Sequence, residues 1–165
     1  METDIVSIVI VVIASATFLV PIGYFEYYKK RAAKKFAASF KKESKNNSLN
    51  LTQYDVWSDQ YGIGIDAAAK KMIYLNQKNG QAITVVQALP ELKRCRIVKE
   101  DTRIMMPDGD RRIPARVDLQ MEFLSPDKKN VSLEFYKGKI GDSVRDEVIL
   151  AEKWSKIINS KITNR

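Results

Sequence analysis

The spacing of apolar residues changes three times along the chain. Between Asp4 and Glu26 stand 21 residues without a charge, IVSIVIVVIASATFLVPIGYF. At about 1.5 Å of rise per residue, a helix of that length covers about 30 Å, the thickness of a bilayer's hydrocarbon core. Lipid offers no hydrogen bonds, so a helix is the form expected there. The hydroxyls of Ser7, Ser15 and Thr17 can turn back onto its carbonyls, and Pro21 predicts a kink near its end. Over residues 24–45, Phe25, Tyr28, Ala32, Phe36 and Phe40 recur at steps of three and four. That is a helical period with a narrow apolar stripe and a basic remainder. Such a helix has three uses: lying on the bilayer, packing against the domain or a second copy, or standing as a solvated stalk. Ser44 to Asn50 is polar and rich in turn formers, and it reads as a linker.

From Tyr54 the period becomes two. Tyr61, Ile63 and Ile65 alternate with Gly62 and Gly64, and Lys71 to Leu75 reads as the returning strand. Lys78-Asn79-Gly80 predicts a turn, and Ala82 to Ala88 a third strand of this set. Lys93 to Glu100 follows after Leu89-Pro90-Glu91. Met106 to Asp110 is the clearest hairpin turn, with 102–106 and 111–115 as strand ends or a long loop. Arg116 to Leu124 places Val117, Leu119, Met121 and Phe123 on one face and Arg116, Asp118, Gln120 and Glu122 on the other. Val131, Leu133 and Phe135 repeat the alternation, with Ser132, Glu134 and Tyr136 outward. After Gly141 the helical period returns. Asp142 or Ser143 can cap this helix, and Val144, Val148, Ala151, Trp154, Ile158 and Ile162 share a face.

The expected fold class is therefore α+β. A membrane helix and basic helical extension precede an antiparallel sheet or barrel of about seven strands, capped by an amphipathic C-terminal helix. Three segments follow: an anchor over 1–25, a basic juxtamembrane helix and linker over 26–50, and a domain over 51–165. The stretch YGIGID-AAA-KKMIYL, followed by a strand and LPELKRCRIVKED, resembles small bacterial domains of the pleckstrin-homology-like type. The resemblance covers residues 60–101, and the order of elements extends it to the rest. It implies a binding or scaffolding module without catalytic residues, and a fold whose members often bind phosphoinositides or anionic surfaces.

Charge gives the expected orientation. The net charge is +8, and residues 1–45 carry 8 basic groups against 4 acidic ones. No Lys or Arg precedes the apolar run, while Lys29, Lys30, Arg31, Lys34 and Lys35 follow it closely. The positive-inside rule places the N-terminus outside and the domain in the cytoplasm of a single-pass inner-membrane protein. A cleaved signal peptide would need a positive start and a shorter apolar core. The basic cluster's place beside the apolar run accounts for it, so membrane lipid is the expected partner and nucleic acid is not.

Chemistry is constrained mainly by what is missing. The chain has no histidine and one cysteine, Cys95. His-based triads, HExxH metal sites and an internal disulfide are excluded, and no cofactor or metal is expected. Gly62-Ile63-Gly64 lacks the third glycine of a dinucleotide loop. Asp108 and Asp110 sit beside Arg111 and Arg112, which would oppose a cation. Lys93, Arg94, Arg96, Lys99, Arg103, Arg111, Arg112 and Arg116 form the most basic part of the domain. Two uses stand open for them: a lipid-facing patch, led by Arg111, Arg112 and Arg116, or a solvated face interleaved with carboxylates. The leading expectation is a non-enzymatic membrane-tethered interaction module that binds a protein partner, its own kind included. The alternative is recognition of anionic lipid by the stalk and the basic strands.

Overall fold

A computed structural model describes residues 27–28, 30–78, 80–106, 109–138 and 145–163. Helix α1 occupies 27–46. Strands β1 (Gln53–Trp57), β2 (Tyr61–Asp66), β3 (Lys71–Lys78) and β4 (Gln81–Ala88) pair antiparallel in sequence order as one sheet. A 3₁₀ turn at Leu89–Glu91 leads to β5 (Leu92–Met106), β6 (Gly109–Phe123) and β7 (Val131–Lys137), which form a second antiparallel sheet in the order β5-β6-β7. Helix α2 (Arg145–Thr163) closes the fold. Among the described residues no helix is long and apolar enough to cross a membrane. The uncharged run over 5–25 and the capping residues Asp142 and Ser143 lie outside them.

The core follows from the alternations in the sequence. Tyr61, Ile63 and Ile65 of β2 and Met72 and Tyr74 of β3 face Val117, Leu119, Met121 and Phe123 of β6 and Leu133 and Phe135 of β7. Ala151, Trp154, Ile158 and Ile162 of α2 join the same cluster, so the helix plugs the space between the sheets. Polar side chains then fix it in place. Trp154 Nε1 donates to Asp55 Oδ2 on β1 (2.8 Å), and Lys153 pairs with the same oxygen (2.6 Å). On the other sheet, Cys95 N donates to Asn159 Oδ1 (2.9 Å), and Asn159 Nδ2 and Ser155 Oγ donate to Cys95 O (2.7 and 3.1 Å). Trp154, the largest fully buried side chain, thus spends its one donor on a carboxylate.

The two glycines of β2 have a steric reason. β2 is buried along its whole length, because Phe40 of α1 covers Gly62, and Leu51 and Tyr54 cover Gly64. Phe36 and Phe40 of α1 and Leu49 pack with Ile73 and Leu75 of β3. A Cβ on Gly62 would lie 2.7 Å from Phe40 Cδ2, and one on Gly64 would lie 3.0 Å from Leu51 Cδ1. Glycine is what lets the ring lie on the backbone.

Several expectations change here. The apolar stripe of α1 splits: Phe36 and Phe40 are buried, whereas Tyr28 and Ala32 are exposed. The segment Ser44–Asn50 is not a free linker. The helix runs on to 46, Ser44 and Leu49 are buried, and Asn50 N donates to Asp66 Oδ2 (2.6 Å). Asp66 also accepts from Ala69 N (2.9 Å). These backbone donors, Ala69 first and then Asn50, hold its carboxyl below the usual carboxylate range. Residues 102–106 and 111–115 are strand and not loop, so β5 and β6 form one long hairpin. Tyr136 is buried and not outward, because Phe135 is an extra residue between the pairs Val117–Tyr136 and Asp118–Glu134. That bulge resets the alternation and turns both Phe135 and Tyr136 inward.

Gly62→Ala should cost about 1–3 kcal/mol of stability, the usual penalty of forcing atoms into a filled core. Urea unfolding of the single and double variants checks this. With Phe40→Ala the same substitution should cost far less, because the two sites share one space. An equal cost in both backgrounds would show that Phe40 does not rest on Gly62.

Candidate functional site

The basic residues of the domain do not gather on one face. Arg94 and Arg96 stand opposite Glu122 and Gln120 on neighbouring strands. Arg94 Nε meets Glu122 Oε2 at 2.6 Å and Arg96 Nε meets Glu122 Oε1 at 3.1 Å. Arg116 Nε meets Asp118 Oδ1 at 2.9 Å, and Asp118 is itself buried and accepts from Ser132 Oγ (2.8 Å). Lys99 lies 3.7 Å from Glu152 on α2. Arg94 and Arg96 fall on the opposite face from Lys99 and Arg103 by their spacing, and Ala115, an extra residue opposite Glu100 and Asp101, puts Arg112 and Arg116 on different faces. Two carboxylates, Glu122 and Asp118, thus engage three arginines, Arg94, Arg96 and Arg116.

Arg111 and Arg112 lie farther out along the hairpin. Arg111 pairs in register with Ile104, and Arg112 with Arg103. Arg103 and Arg112 are exposed and have no ion-pair partner among the described residues. On α1, Lys30, Arg31, Lys34 and Lys35 are all exposed, while Lys29 lies outside the described residues. Among the described residues of α1 none before Phe36 is buried, and these cations lie along that exposed first part of the helix. Tyr27 and Tyr28 accompany them, with ring centroids 6.2 Å apart.

The far end of the two sheets holds a polar seam. Tyr61 Oη donates to Glu134 Oε1 (2.7 Å), Tyr74 Oη donates to Glu134 O, and Trp57 Nε1 donates to Phe135 O (2.9 Å). Trp57 stacks on Phe135 with centroids 4.6 Å apart. Burial pushes both tyrosine hydroxyls above their ordinary range, and Glu134 raises Tyr61 further. Beside the seam is an open cleft of about 310 Å³ lined by Ser58, Gln60, Tyr61, Tyr136, Lys137 and Glu147. Glu134 is held by Tyr61, and among the described residues Glu147 is the one carboxylate in this lining. Among the described residues no cluster of three or more acidic or thiol side chains has a metal-binding arrangement.

Sequence reasoning missed the Arg103–Arg112 opposition and the burial of Asp118. The first depends on a bulge, which has no signature in the alternation until the partner strand is known, and the second on Arg116 and Ser132 closing over the carboxylate. Cys95 is buried, and its backbone, not its thiol, is what α2 engages. Burial pushes its pKa up to about 12, so the thiolate needed for nucleophilic attack is scarce at neutral pH. The native chain should resist iodoacetamide at mildly alkaline pH and become labelled at an ordinary thiol rate only in guanidinium, as followed by mass spectrometry. Rapid labelling of the native chain would return Cys95 to the candidate nucleophiles.

Comparison of the chain with models of protein families, with curated proteins and with solved structures gave no match.

Proposed function

We propose that the chain is a membrane-tethered, non-enzymatic interaction module whose domain works on the cytoplasmic face of the inner membrane. The observation that carries the proposal is the 21-residue uncharged run followed at once by basic residues. That run has the length and flanking charge of a single-pass anchor with its C-terminal side in the cytoplasm. Four strands, then three strands, then a helix between the two sheets is also the element order of the pleckstrin-homology-like fold. That likeness supports a binding role by analogy of fold alone. The surface chemistry agrees with a module that binds: with no histidine, the chain has few groups able to move protons near neutral pH.

Because Phe36 and Phe40 seat α1 on the sheet, the helix that follows the apolar run is attached to the domain. The anchor would then hold the domain through a stiff connection and present a fixed side of it to partners. A second reading, recognition of anionic lipid, is favoured at one place. Lys30, Arg31, Lys34 and Lys35 are exposed along the part of α1 that precedes Phe36. Arg116 is less suited to that role, since Asp118 already engages it.

A full-length chain carrying a C-terminal tag tests the tether. It should stay with membranes through high salt and alkaline carbonate, and the tag should resist added protease until the cells are opened. Release by carbonate, or cleavage of the tag in intact cells, would overturn the proposal.

A further inference from the structure

The β5–β6 hairpin outruns the third strand of its sheet. β7 pairs with β6 only over Arg116–Met121, whereas the β5–β6 ladder continues from Asp101–Pro114 out to Met106–Gly109. Residues 101–106 and 109–114 therefore form a two-stranded ribbon with no third strand beside it among the described residues. Along one of its faces the register places Asp101, Arg103 and Met105 against Pro114, Arg112 and Asp110. Arg103 is directly opposite Arg112.

Directly opposed residues hold their Cβ atoms about 4.5–5.5 Å apart, and like charges there repel. Both side chains are exposed, and Met105 beside them is 89% exposed. Every arginine on the body of the sheet, Arg94, Arg96 and Arg116, has a carboxylate within 3.1 Å. The two on the ribbon have none among the described residues. A repulsive pair at the outermost part of a strand ladder does nothing for stability. It does present two guanidinium forks side by side, a geometry suited to a carboxylate that accepts from both.

We propose that Arg103 and Arg112 form a two-pronged docking point for the carboxylates of an acidic segment in a protein partner. This rests on the reading of the domain as a protein-interaction module and names the surface it would use. An anionic bilayer fits the same pair less well. Over 101–114 the sequence has three arginines and three aspartates, so the ribbon carries no net positive charge to draw it to a charged surface. Asp110 lies nearer the ribbon's end than either arginine, so a ribbon entering lipid tip first would bring that carboxylate to the headgroups before them. A protein segment approaching the face is not bound to that order.

The test uses the full chain in nanodiscs of neutral lipid, with amide hydrogen exchange read over residues 101–114. Octaglutamate should slow exchange of the ribbon several-fold in the native sequence. R103Q/R112Q should abolish that slowing without lowering the thermal midpoint, since it removes a repulsion. R94Q/R96Q, which alters arginines already paired with Glu122, should leave the slowing in place. A ribbon unaffected by octaglutamate, or slowed equally in R103Q/R112Q, overturns the proposal. So does a ribbon that responds only to nanodiscs containing phosphatidylglycerol, which would assign the pair to lipid. Failure of the membrane tether would show in carbonate extraction and not in these amides, so the two readings fail separately.

Discussion

Burial of β2 on both faces is the constraint on which the rest of the structure depends. A strand in an antiparallel sheet usually has one face toward the core and one toward water. Here Tyr61, Ile63 and Ile65 enter the space between the sheets, while Gly62 and Gly64 lie beneath Phe40 and Leu51. The second contact draws α1 into the folded unit. It makes the helix that follows the apolar run a structural layer of the domain, with the cations along the exposed part of the helix that precedes Phe36. The sequence boundary at residue 50 therefore separates segments that pack together in space.

Around this strand the two sheets are joined mainly by side chains that reach exposed strand edges. Asp55 on β1 and Cys95 on β5 are edge-strand residues, and α2 meets both through Trp154, Lys153, Asn159 and Ser155. At the opposite side, Trp57 and Tyr74 donate to the carbonyls of Phe135 and Glu134 on the edge strand β7. Each such bond contributes about 1 kcal/mol net, but a buried group left unpaired would cost more. The contacts to Cys95, Phe135 and Glu134 also occupy backbone groups that an edge strand otherwise offers to another chain. The bulge at Phe135 belongs to this scheme, since it aims Phe135 and Tyr136 inward together.

Much of this was legible from residue spacing. The alternations at Tyr61–Ile65, Val117–Phe123 and Val131–Phe135 and the helical face from Val148 to Ile162 each report burial directly, because packing imposes them. The glycines were legible only as a sign that something lies close; that it is Phe40 requires the tertiary contact. Exposed Tyr28 and buried Phe36 share one helical stripe, and sequence period alone does not say where a helix leaves the sheet. At the candidate surface the residue types were readable but their pairing was not. Arg116 and Arg112 look alike in the sequence, yet one meets Asp118 and the other faces Arg103, because one strand irregularity, between Glu100 and Asp101 on the partner strand, shifts the register between them. The run over 5–25 remains a matter of sequence, outside the described residues.

The account's central claim is that α1 belongs to the folded domain and is a layer of it. Urea unfolding of residues 27–165 beside residues 49–165 tests it most directly. Loss of Phe36 and Phe40 from their places against Ile73 and Leu75 should lower stability by roughly 3–5 kcal/mol or more, on the scale of large aromatic truncations. The newly bare face of β2 and β3 should bind a hydrophobic dye. Equal unfolding midpoints with no dye binding would contradict the account, and α1 would then be a stalk that merely leans on a domain complete without it.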